Sequence, residues 1–336
     1  MIKLLDCTLR DGGYINNWRF SEDFLNSYYN TCHNVDYIEI GFVNNTYEYK
    51  NQIVGSNRML TLSKIESFSN YEFKKVVMAD FSDINLDILR KNIDIDLVRI
   101  AFHKNDLIEA LKTCKEVKDL GYKVSVNAMA ITNYSHDELD ILIEYINKNG
   151  LDILYIADSY GSLHQDDIKD YLTLFDSKLN KTCEIGFHLH NNMNNAYGNY
   201  EYLKNISKSL KRTIIVDSTM FGMGRGAGNL QTELVVINEN KKIEFKQIVD
   251  ILLFIQDYIK PNYKKDDNEW GYDLDYLLSG YLKMHPNYIA SMRDLHISMK
   301  NRFFLIEKMI EKNFQYNYFN KEIINQLIEE YKNDIM

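Results

Sequence analysis

Short apolar runs alternate with helix-like segments over about the first 240 of the 336 residues of this chain. Most runs are continuously hydrophobic and end at Gly, Asp or Asn, a pattern typical of parallel strands that helices cover on both faces. Eight such strands separated by helices predict an α/β fold, namely a closed (β/α)8 barrel, with a doubly wound sheet as the alternative. The predicted strands are residues 3–7, 37–41, 75–79, 97–102, 123–130, 152–157, 184–188 and 213–218.

Helix signals separate the strands and then continue alone towards the C-terminus. Ser135 and Glu138 form a capping box at the start of one predicted helix, and Gly121 ends another over 106–120. After about residue 236 the strand signal stops, and the segments 244–260 and 301–334 are helical in pattern. We therefore predict a barrel domain over 1–240 and a helical C-terminal extension over 241–336.

Charge and composition exclude several classes of protein. The net charge of −9 argues against binding to nucleic acid or to an anionic membrane surface. Charged residues interrupt the N-terminal segment, so we expect neither a signal peptide nor a membrane-spanning helix. The four cysteines are widely spaced without a CxxC pair, which favours free thiols and a cytoplasmic location.

Polar side chains follow the predicted strands at the ends that would form one surface of a barrel. Barrel enzymes carry their catalytic groups at these carboxyl ends, so we expect the residues to lie together. The first strand runs directly into an Arg-Asp pair and two glycines, a flexible turn that suits an active site. The residues predicted to share the surface are Arg10, Asp11, Glu39, Asn44, Arg99, His103, Asn127, Asp158, Ser159, His188, His190, Asp217 and Ser218.

Two of these residues have the spacing of metal ligands. His188 and His190 are two residues apart, so both imidazoles face the same side of a strand. Asp11 would add a carboxylate from the other side of the barrel closure, and this donor set suits Mn²⁺, Zn²⁺ or Mg²⁺. The alternative is a structural or solvated histidine pair. We expect most of the other histidines, including His285, to be ordinary surface or helix residues.

The segment 221–229, Phe-Gly-Met-Gly-Arg-Gly-Ala-Gly-Asn, follows the last predicted strand. Its glycines would let backbone N–H groups approach a bound phosphate or carboxylate, or would permit a tight turn over the metal site. Both interpretations stay open. The segment lacks a Walker lysine, which argues against nucleotide triphosphate binding. A Schiff-base mechanism is disfavoured because strand-associated lysines lie mostly at the amino ends: Lys3, Lys74, Lys75 and Lys123.

Three motifs in order resemble the DRE-TIM metallolyase superfamily. They are Thr-Leu-Arg-Asp-Gly at 8–12, Phe-His-Leu-His-Asn at 187–191 and Gly-Met-Gly-Arg-Gly-Ala-Gly-Asn at 222–229. Within the superfamily the chain is most similar to 4-hydroxy-2-oxovalerate aldolases, which share Ala157-Asp158-Ser159 and the Gly-Ala-Gly-Asn loop. Isopropylmalate synthases and 3-hydroxy-3-methylglutaryl-CoA lyase are more distant. The resemblance covers about residues 3–240.

The resemblance implies a divalent-metal-dependent aldolase, an oxo-acid lyase. Such an enzyme cleaves or forms a 4-hydroxy-2-oxo acid from pyruvate and an aldehyde through a pyruvate enolate at the metal. Asp11, His188 and His190 would be the metal ligands, with Mn²⁺ as the first choice and Mg²⁺, Zn²⁺ or Co²⁺ as alternatives. Arg10 would be catalytic by stabilising the enolate, and Arg10, Ser159 and His188 would contact the substrate.

One position departs from the aldolases. The histidine that they place three residues after the metal aspartate, as a general base, is here Tyr14. Tyrosine has an ordinary pKa near 10, so Tyr14, His103 or a metal-bound water remains a candidate for this catalytic role. The C-terminal region around Tyr281, His285 and Tyr288 resembles only in part the aldolase extension that docks an aldehyde dehydrogenase partner, so that partner and a stand-alone aldolase acting on a larger or sugar-derived aldehyde are alternative expectations. We expect a homodimer. Alternatives are an acyl-CoA-dependent Claisen condensing enzyme, like isopropylmalate or citramalate synthase, and a non-catalytic barrel subunit.

Overall fold

The computed structural model describes residues 1–32, 34–49, 52–69, 71, 73–239, 243–263 and 270–335. Eight parallel strands form a closed barrel in the order β1-β8-β7-β6-β5-β4-β3-β2, and β1 closes it by pairing with both β8 and β2. The strands are β1 (Ile2–Asp6), β2 (Tyr37–Phe42), β3 (Lys74–Asp80), β4 (Leu97–Phe102), β5 (Val124–Ala128), β6 (Ile153–Asp158), β7 (Glu184–Leu189) and β8 (Ile214–Ser218). The predicted barrel is therefore confirmed, and the doubly wound sheet is excluded.

Helices surround the barrel and continue beyond it. Those up to residue 239 are Gly13–Asn16, Glu22–Thr31, Leu62–Glu66, Leu86–Leu89, Leu107–Asp119, His136–Asn149, Gln165–Lys178, Ala196–Ser207 and Thr232–Glu239. Further on lie Phe245–Phe254, a π-helical turn at Ile255–Ile259, Lys260–Tyr263, Leu274–Tyr281, Asn287–Asp294, Met299–Glu311, Lys321–Glu330 and Lys332–Ile335. Short 3₁₀ turns occur at Phe81–Asp83, Lys104–Asp106, Ile131–Asn133 and Met220–Gly222, and Glu48–Tyr49 pairs with Gln52–Ile53 in a small hairpin. Within the described residues, no helix is long and apolar enough to cross a membrane.

The helix His136–Asn149 shows how local sequence sets these boundaries. Ser135 accepts a hydrogen bond from the N–H of Glu138, and the Glu138 side chain accepts from the N–H of Ser135, which forms the predicted capping box. Gly150 ends the helix in the left-handed conformation at φ 62°.

The C-terminal part packs in two places. The helix Phe245–Phe254 and the turn after it contribute Ile251, Phe254 and Ile255 to the hydrophobic core around the barrel. A second core, which includes Tyr288 and Leu305, holds the helices from Leu274 onwards together. Packing with the barrel thus continues past the predicted boundary at 240/241, and the division into two domains stays a prediction.

The helical pattern predicted over 301–334 is interrupted in the structure. The helix Met299–Glu311 ends before Asn313, which adopts a left-handed φ of 53°, and the next helix begins only at Lys321. The intervening loop runs along the mouth of the barrel, where the Tyr316 carbonyl accepts a hydrogen bond from the N–H of His285. An apolar periodicity that continues across this loop had hidden the break.

The interior of the barrel combines an apolar cluster with buried polar groups. Leu5, Val76, Leu97 and Ile215 fill it together with the ring of Tyr155. Gly186 lies opposite Tyr155 in the neighbouring strand, and a Cβ placed there would lie 2.3 Å from the Tyr155 ring. Glycine therefore makes the space that the tyrosine ring occupies.

We expect Gly186→Ala to lower the free energy of unfolding by about 1–3 kcal/mol, because the added methyl group overpacks the ring of Tyr155. Chemical denaturation monitored by circular dichroism measures this change. Gly198→Ala is the matched control, because Gly198 lies in the helix Ala196–Ser207 with no atom within 4 Å of an added Cβ. That variant should gain roughly 0.5–1 kcal/mol. Equal effects of the two substitutions would contradict this account of the barrel interior.

Candidate metal centre and active site

Three predicted metal ligands converge at the mouth of the barrel. Asp11, His188 and His190 are all buried, and one potential ligand atom from each lies within 4.8 Å of the others. Strand β7 presents both imidazoles on one side, with ring centroids 4.8 Å apart. Asp11 reaches the same point from the turn after β1, because β8 alone separates β1 from β7 in the barrel.

Neighbouring groups orient each ligand side chain. His188 Nδ1 lies 2.9 Å from Asp217 Oδ2, so this bond assigns the proton to Nδ1 and leaves Nε2 free for a metal. Asp11 accepts from Arg10 Nη1 through Oδ1 at 2.5 Å and from Asn229 Nδ2 through Oδ2 at 2.7 Å. Each carboxylate oxygen keeps a further lone pair for a cation.

The ionisation states also suit a metal. Burial lowers the pKa of His190 to about 3, so the imidazole is neutral near pH 7. Burial by itself would raise the pKa of Asp11, but the positive charge of Arg10 outweighs it and holds that pKa well below its usual range. Metal binding requires these two forms, a neutral imidazole and a carboxylate.

A second set of potential ligands, formed by Cys7, His188 and Asp217, lies close by. Burial raises the pKa of the Cys7 thiol well above its usual value, and the thiol donates to the Ser218 carbonyl over 3.3 Å. Metals bind cysteine as the thiolate, which is disfavoured here. Asp217 serves His188 instead, so the set Asp11, His188 and His190 fits a divalent metal better.

A chain of alternating buried charges supports the ligands from below. Arg10 Nε donates to Glu39 Oε2 at 2.7 Å, and Arg99 Nη1 donates to Glu39 Oε1 at 3.0 Å. Arg99 Nη2 then donates to Asp217 Oδ2 at 2.5 Å, and Tyr155 donates its hydroxyl to Asp217 Oδ1 at 2.8 Å. Arg99 also stacks on the Tyr155 ring, with Cζ 4.2 Å from the centroid. These pairs connect Arg10 to Asp217 through protein groups alone.

The candidate ligands open into a pocket of about 880 Å³, the solvent at its mouth included. Arg10 lines it beside the ligands. Ser159 and Asn127 line the same pocket; the Ser159 hydroxyl accepts from the N–H of Ala130 at 2.9 Å, and Asn127 Oδ1 accepts from Ser125 at 2.6 Å. The Ser159 O–H and the Asn127 amide N–H groups therefore remain as donors.

The neighbouring Asp158 has a different task. Its Oδ1 accepts from the N–H of Ser162 at 2.9 Å and from that of Leu163 at 3.3 Å, so the carboxylate caps its own loop. Burial raises the pKa of Asp158 to about 7. Asp158 is absent from the lining of this pocket, whereas Ala157 and Ser159 on either side line it.

The glycine-rich loop passes tightly over Asp11. A Cβ on Gly224 would lie 2.3 Å from Asn229 Nδ2 and 2.9 Å from Asp11 Oδ2. Two N–H groups of the loop, those of Gly228 and Asn229, donate to carbonyls of the same segment, and those of Gly222 and Met223 donate to the carbonyls of Thr219 and Met220 just before it. Of the two interpretations from the sequence, the tight turn fits this geometry.

The rest of the pocket includes residues that the sequence analysis missed. The Arg225 side chain lines it and stacks on Tyr14, with Cζ 4.2 Å from the ring centroid. His285, expected to be an ordinary histidine, lines the pocket too, together with Asn317 and Tyr318. The arginine within the glycine-rich motif was a signal in the sequence. The three residues of the C-terminal part carried none, because no pattern relates them to the strand ends.

Tyr14 lies in an aromatic cluster at the pocket wall. Its ring contacts Trp18 and Tyr49 edge-on, with centroids 4.6 Å and 5.3 Å away. Burial raises the pKa of Tyr14 to about 12, so the phenol is protonated at neutral pH. Its catalytic role stays a prediction.

Together, the fold and the site define a (β/α)8 barrel with a candidate metal centre at the carboxyl ends of its strands. Residues 1–255 match the model of the HMGL-like family, and the chain belongs to this family within the DRE-TIM superfamily.

Sequence relatives and solved structures agree with this assignment. A 4-hydroxy-2-oxovalerate aldolase of Bacillus cereus is 24% identical over 241 residues, covering 70% of this chain and 68% of the relative. A protein of the same name from Geobacillus genomosp. 3 is 26% identical over 273 residues, covering 76% and 77%. The N-terminal domain of a candidate aldolase from Bacteroides vulgatus superposes with a TM-score of 0.76 at 26% identity, covering 90% of this chain and 99% of that one. A Bacillus subtilis HMG-CoA lyase shares the fold at 15% identity, with a TM-score of 0.60 over 78% and 94%.

We expect Asp217→Asn to weaken Mn²⁺ binding about 10- to 100-fold, because the carboxylate that orients His188 is lost. Isothermal titration calorimetry on the purified protein measures the affinity. Asp158→Asn is the control and should retain the wild-type affinity, since Asp158 is a buried carboxylate at the end of β6 that caps its own loop. Equal Mn²⁺ affinities of Asp217→Asn and the wild type would argue against this ligand geometry.

Proposed function

We propose that this protein is a divalent-metal-dependent aldolase that cleaves a 4-hydroxy-2-oxo acid to pyruvate and an aldehyde, or joins the two. The observation that carries the proposal is the Arg10 guanidinium, which lines the same pocket as Asp11, His188 and His190. A cation site beside a fixed arginine suits chemistry in which negative charge develops on a substrate oxygen. The names of the relatives support the same reaction class.

The residues of the chain divide the work between them. Asp11, His188 and His190 would hold the metal, which as a Lewis acid would polarise the 2-oxo group of the substrate. Arg10 is held by Glu39 and Asp11, so its remaining N–H groups have a fixed direction towards the pocket. They would neutralise the charge that develops on the enolate oxygen.

The donors at the far side of the metal ligands suit a carboxylate. The Ser159 hydroxyl and the Asn127 amide oxygen act as acceptors in their hydrogen bonds with the protein, so the O–H and N–H groups can still donate to a substrate. We assign them to the carboxylate of pyruvate. Charged acceptors strengthen such hydrogen bonds, which would fix the orientation of the 2-oxo acid.

The bond changes follow from this arrangement. In cleavage, the 4-hydroxyl loses its proton, the C3–C4 bond breaks, and its electron pair stays with C3 as the enolate of pyruvate. C4 leaves as the aldehyde, and protonation of C3 completes pyruvate. Condensation is the reverse, in which the aldehyde oxygen gains the proton.

Two pocket residues are candidates for the group that takes the proton of the 4-hydroxyl. Tyr14 is protonated at neutral pH because burial raises its pKa to about 12. Burial lowers the pKa of His103 below its ordinary value, so its imidazole is neutral and able to accept a proton. Of the two, His103 fits the role of base better in this structure. The role of Tyr14 and that of a metal-bound water stay predictions.

We expect the wild-type protein with Mn²⁺ to exchange the methyl protons of pyruvate for deuterium in D₂O, since enolisation needs no aldehyde. Asp11→Asn and His188→Ala should abolish the exchange, as should a chelator. Proton NMR of the pyruvate methyl signal follows the reaction. Asp158→Asn is the control for loss of a buried carboxylate. Exchange that continues without metal would refute the proposal.

The two candidate bases differ in the pH dependence of cleavage that they predict. A base must be deprotonated, so with His103 the kcat/KM falls as the pH decreases through a pKa below 6.5, and His103→Gln removes this limb. With Tyr14 as the base, kcat/KM instead rises through the alkaline range, and Tyr14→Phe removes that rise. Pyruvate release from a 4-hydroxy-2-oxo acid, followed between pH 5 and pH 10, separates the two. A profile that neither substitution alters would leave a metal-bound water as the base.

Several finer points of the function stay predictions. These are the preference for Mn²⁺, the aldehyde dehydrogenase partner, the homodimer and the cytoplasmic location.

A further inference from the structure

Arg225 is half-buried, and it differs from the buried arginines because it lacks an anion. Within the described part of the chain, its guanidinium forms no ion pair and no side-chain hydrogen bond, and its Nε is shielded from solvent. A buried charge without a partner is costly, and structures pair such charges with few exceptions. The arginines that do have carboxylate partners are Arg10, Arg58, Arg90, Arg99, Arg212, Arg293 and Arg302.

The carboxylates that line the same pocket are already engaged. Asp11 accepts from Arg10 and Asn229 through its two oxygens. Asp80 accepts from Arg58 Nη2 at 2.6 Å and from Asn44 Nδ2 at 2.9 Å. The charge of Arg225 is therefore available to a ligand.

The orientation of Arg225 is fixed by Tyr14. The guanidinium lies 4.2 Å from the ring centroid, and stacking of this kind leaves the N–H edge free to bind an acceptor. The loop that carries Arg225 is itself held from the C-terminal side, because the N–H of Gly271 donates to the Gly226 carbonyl at 3.1 Å. The cation is thus held in place before any ligand binds.

Arg225 lies between the metal ligands and the C-terminal helices. The residues on either side of it show this: a Cβ on Gly224 would lie 2.9 Å from Asp11 Oδ2, and a Cβ on Gly226 would lie 3.6 Å from Pro286 Cβ. His285 Nδ1 accepts from the N–H of Asn287 at 3.2 Å, which assigns the proton of the neutral ring to Nε2. His285 can therefore donate a hydrogen bond without adding charge. Asn317 lines the pocket beside it and brings an amide.

We propose that Arg225, together with His285 and Asn317, forms a subsite for an anionic group, a carboxylate or a phosphate, on the aldehyde part of the substrate. This inference rests on the proposed function, in which Ser159 and Asn127 take the carboxylate of pyruvate. Because Arg10 and the metal ligands face the reacting carbons, a second anion at Arg225 belongs to the other half of the substrate. The substrate class is then an acidic 4-hydroxy-2-oxo acid with a negative charge at each end.

Matched aldehydes test the charge directly. Condensation with pyruvate and Mn²⁺ is measured for 4-oxobutanoate against butanal, and for D-glyceraldehyde 3-phosphate against D-glyceraldehyde. We expect kcat/KM to be about 10- to 100-fold higher for the acid than for its neutral counterpart in at least one pair, as one charged hydrogen-bonding site provides. The pair that shows the preference distinguishes a carboxylate from a phosphate.

Substitution of Arg225 tests the residue. In Arg225→Met the ratio of the two kcat/KM values should fall towards one, and Arg225→Lys should keep part of the preference because the charge remains without the planar fork. Arg90→Met is the matched control, because it removes the same charge from an exposed arginine that precedes β4, at the opposite end of the barrel. It should keep the wild-type ratio. Circular dichroism shows that each variant is folded, and metal-dependent deuterium exchange of pyruvate then shows that the chemistry on pyruvate is intact.

The outcomes separate this inference from the proposed function. Failure of deuterium exchange in the wild type refutes the aldolase proposal but leaves the subsite testable, since calorimetric binding of 4-oxobutanoate or D-glyceraldehyde 3-phosphate needs no turnover. Binding that Arg225→Met weakens at least tenfold supports the subsite. Equal kcat/KM values within both aldehyde pairs, or no binding of either acid, overturn it. Loss of pyruvate exchange in a folded Arg225→Met also overturns it, because Arg225 would then serve pyruvate.

Discussion

The buried chain of charges from Arg10 through Glu39 and Arg99 to Asp217 is the interaction on which this site depends. Isolated charges inside a barrel would cost many kcal/mol, but here each arginine lies between two carboxylates, and Glu39 lies between two arginines. Because the chain is closed by Asp11 at one end and His188 at the other, the positions of two candidate metal ligands are linked. A shift in any member leaves a neighbour unpaired, so the geometry is held without help from solvent.

Sequence reasoning succeeded for the strands and for the candidate metal ligands, but it did not find the buried ion pairs beneath them. Every predicted strand matches an observed one to within two residues, since parallel barrel strands are apolar runs with sharp ends. The convergence of Asp11, His188 and His190 followed from the strand ends alone. The pairing of Arg99 with Glu39 and Asp217 did not, because strand register and side-chain direction inside a barrel depend on closure, which no local pattern encodes.

The residues of the outer part of the pocket could not be predicted from the sequence for a related reason. Arg225 lies in a glycine-rich motif, and glycines indicate a role for the backbone. The structure shows instead that the side chain of Arg225 lines the pocket. His285 and Asn317 lie far along the chain from the strand ends, in two connections between C-terminal helices whose docking is set by tertiary contacts. A periodicity that ran across the loop after Glu311 concealed the residues that approach the barrel mouth.

The two hydrophobic cores hold different parts of the pocket in place. The groups that would bind metal and enolate belong to the barrel, whereas His285 and Asn317 are carried by the segments around the second core. Substitutions within the second core can therefore reshape the wall that meets the variable half of a substrate without disturbing the buried charges. A protein built in this way can change its choice of aldehyde during evolution while the bond-breaking apparatus stays constant.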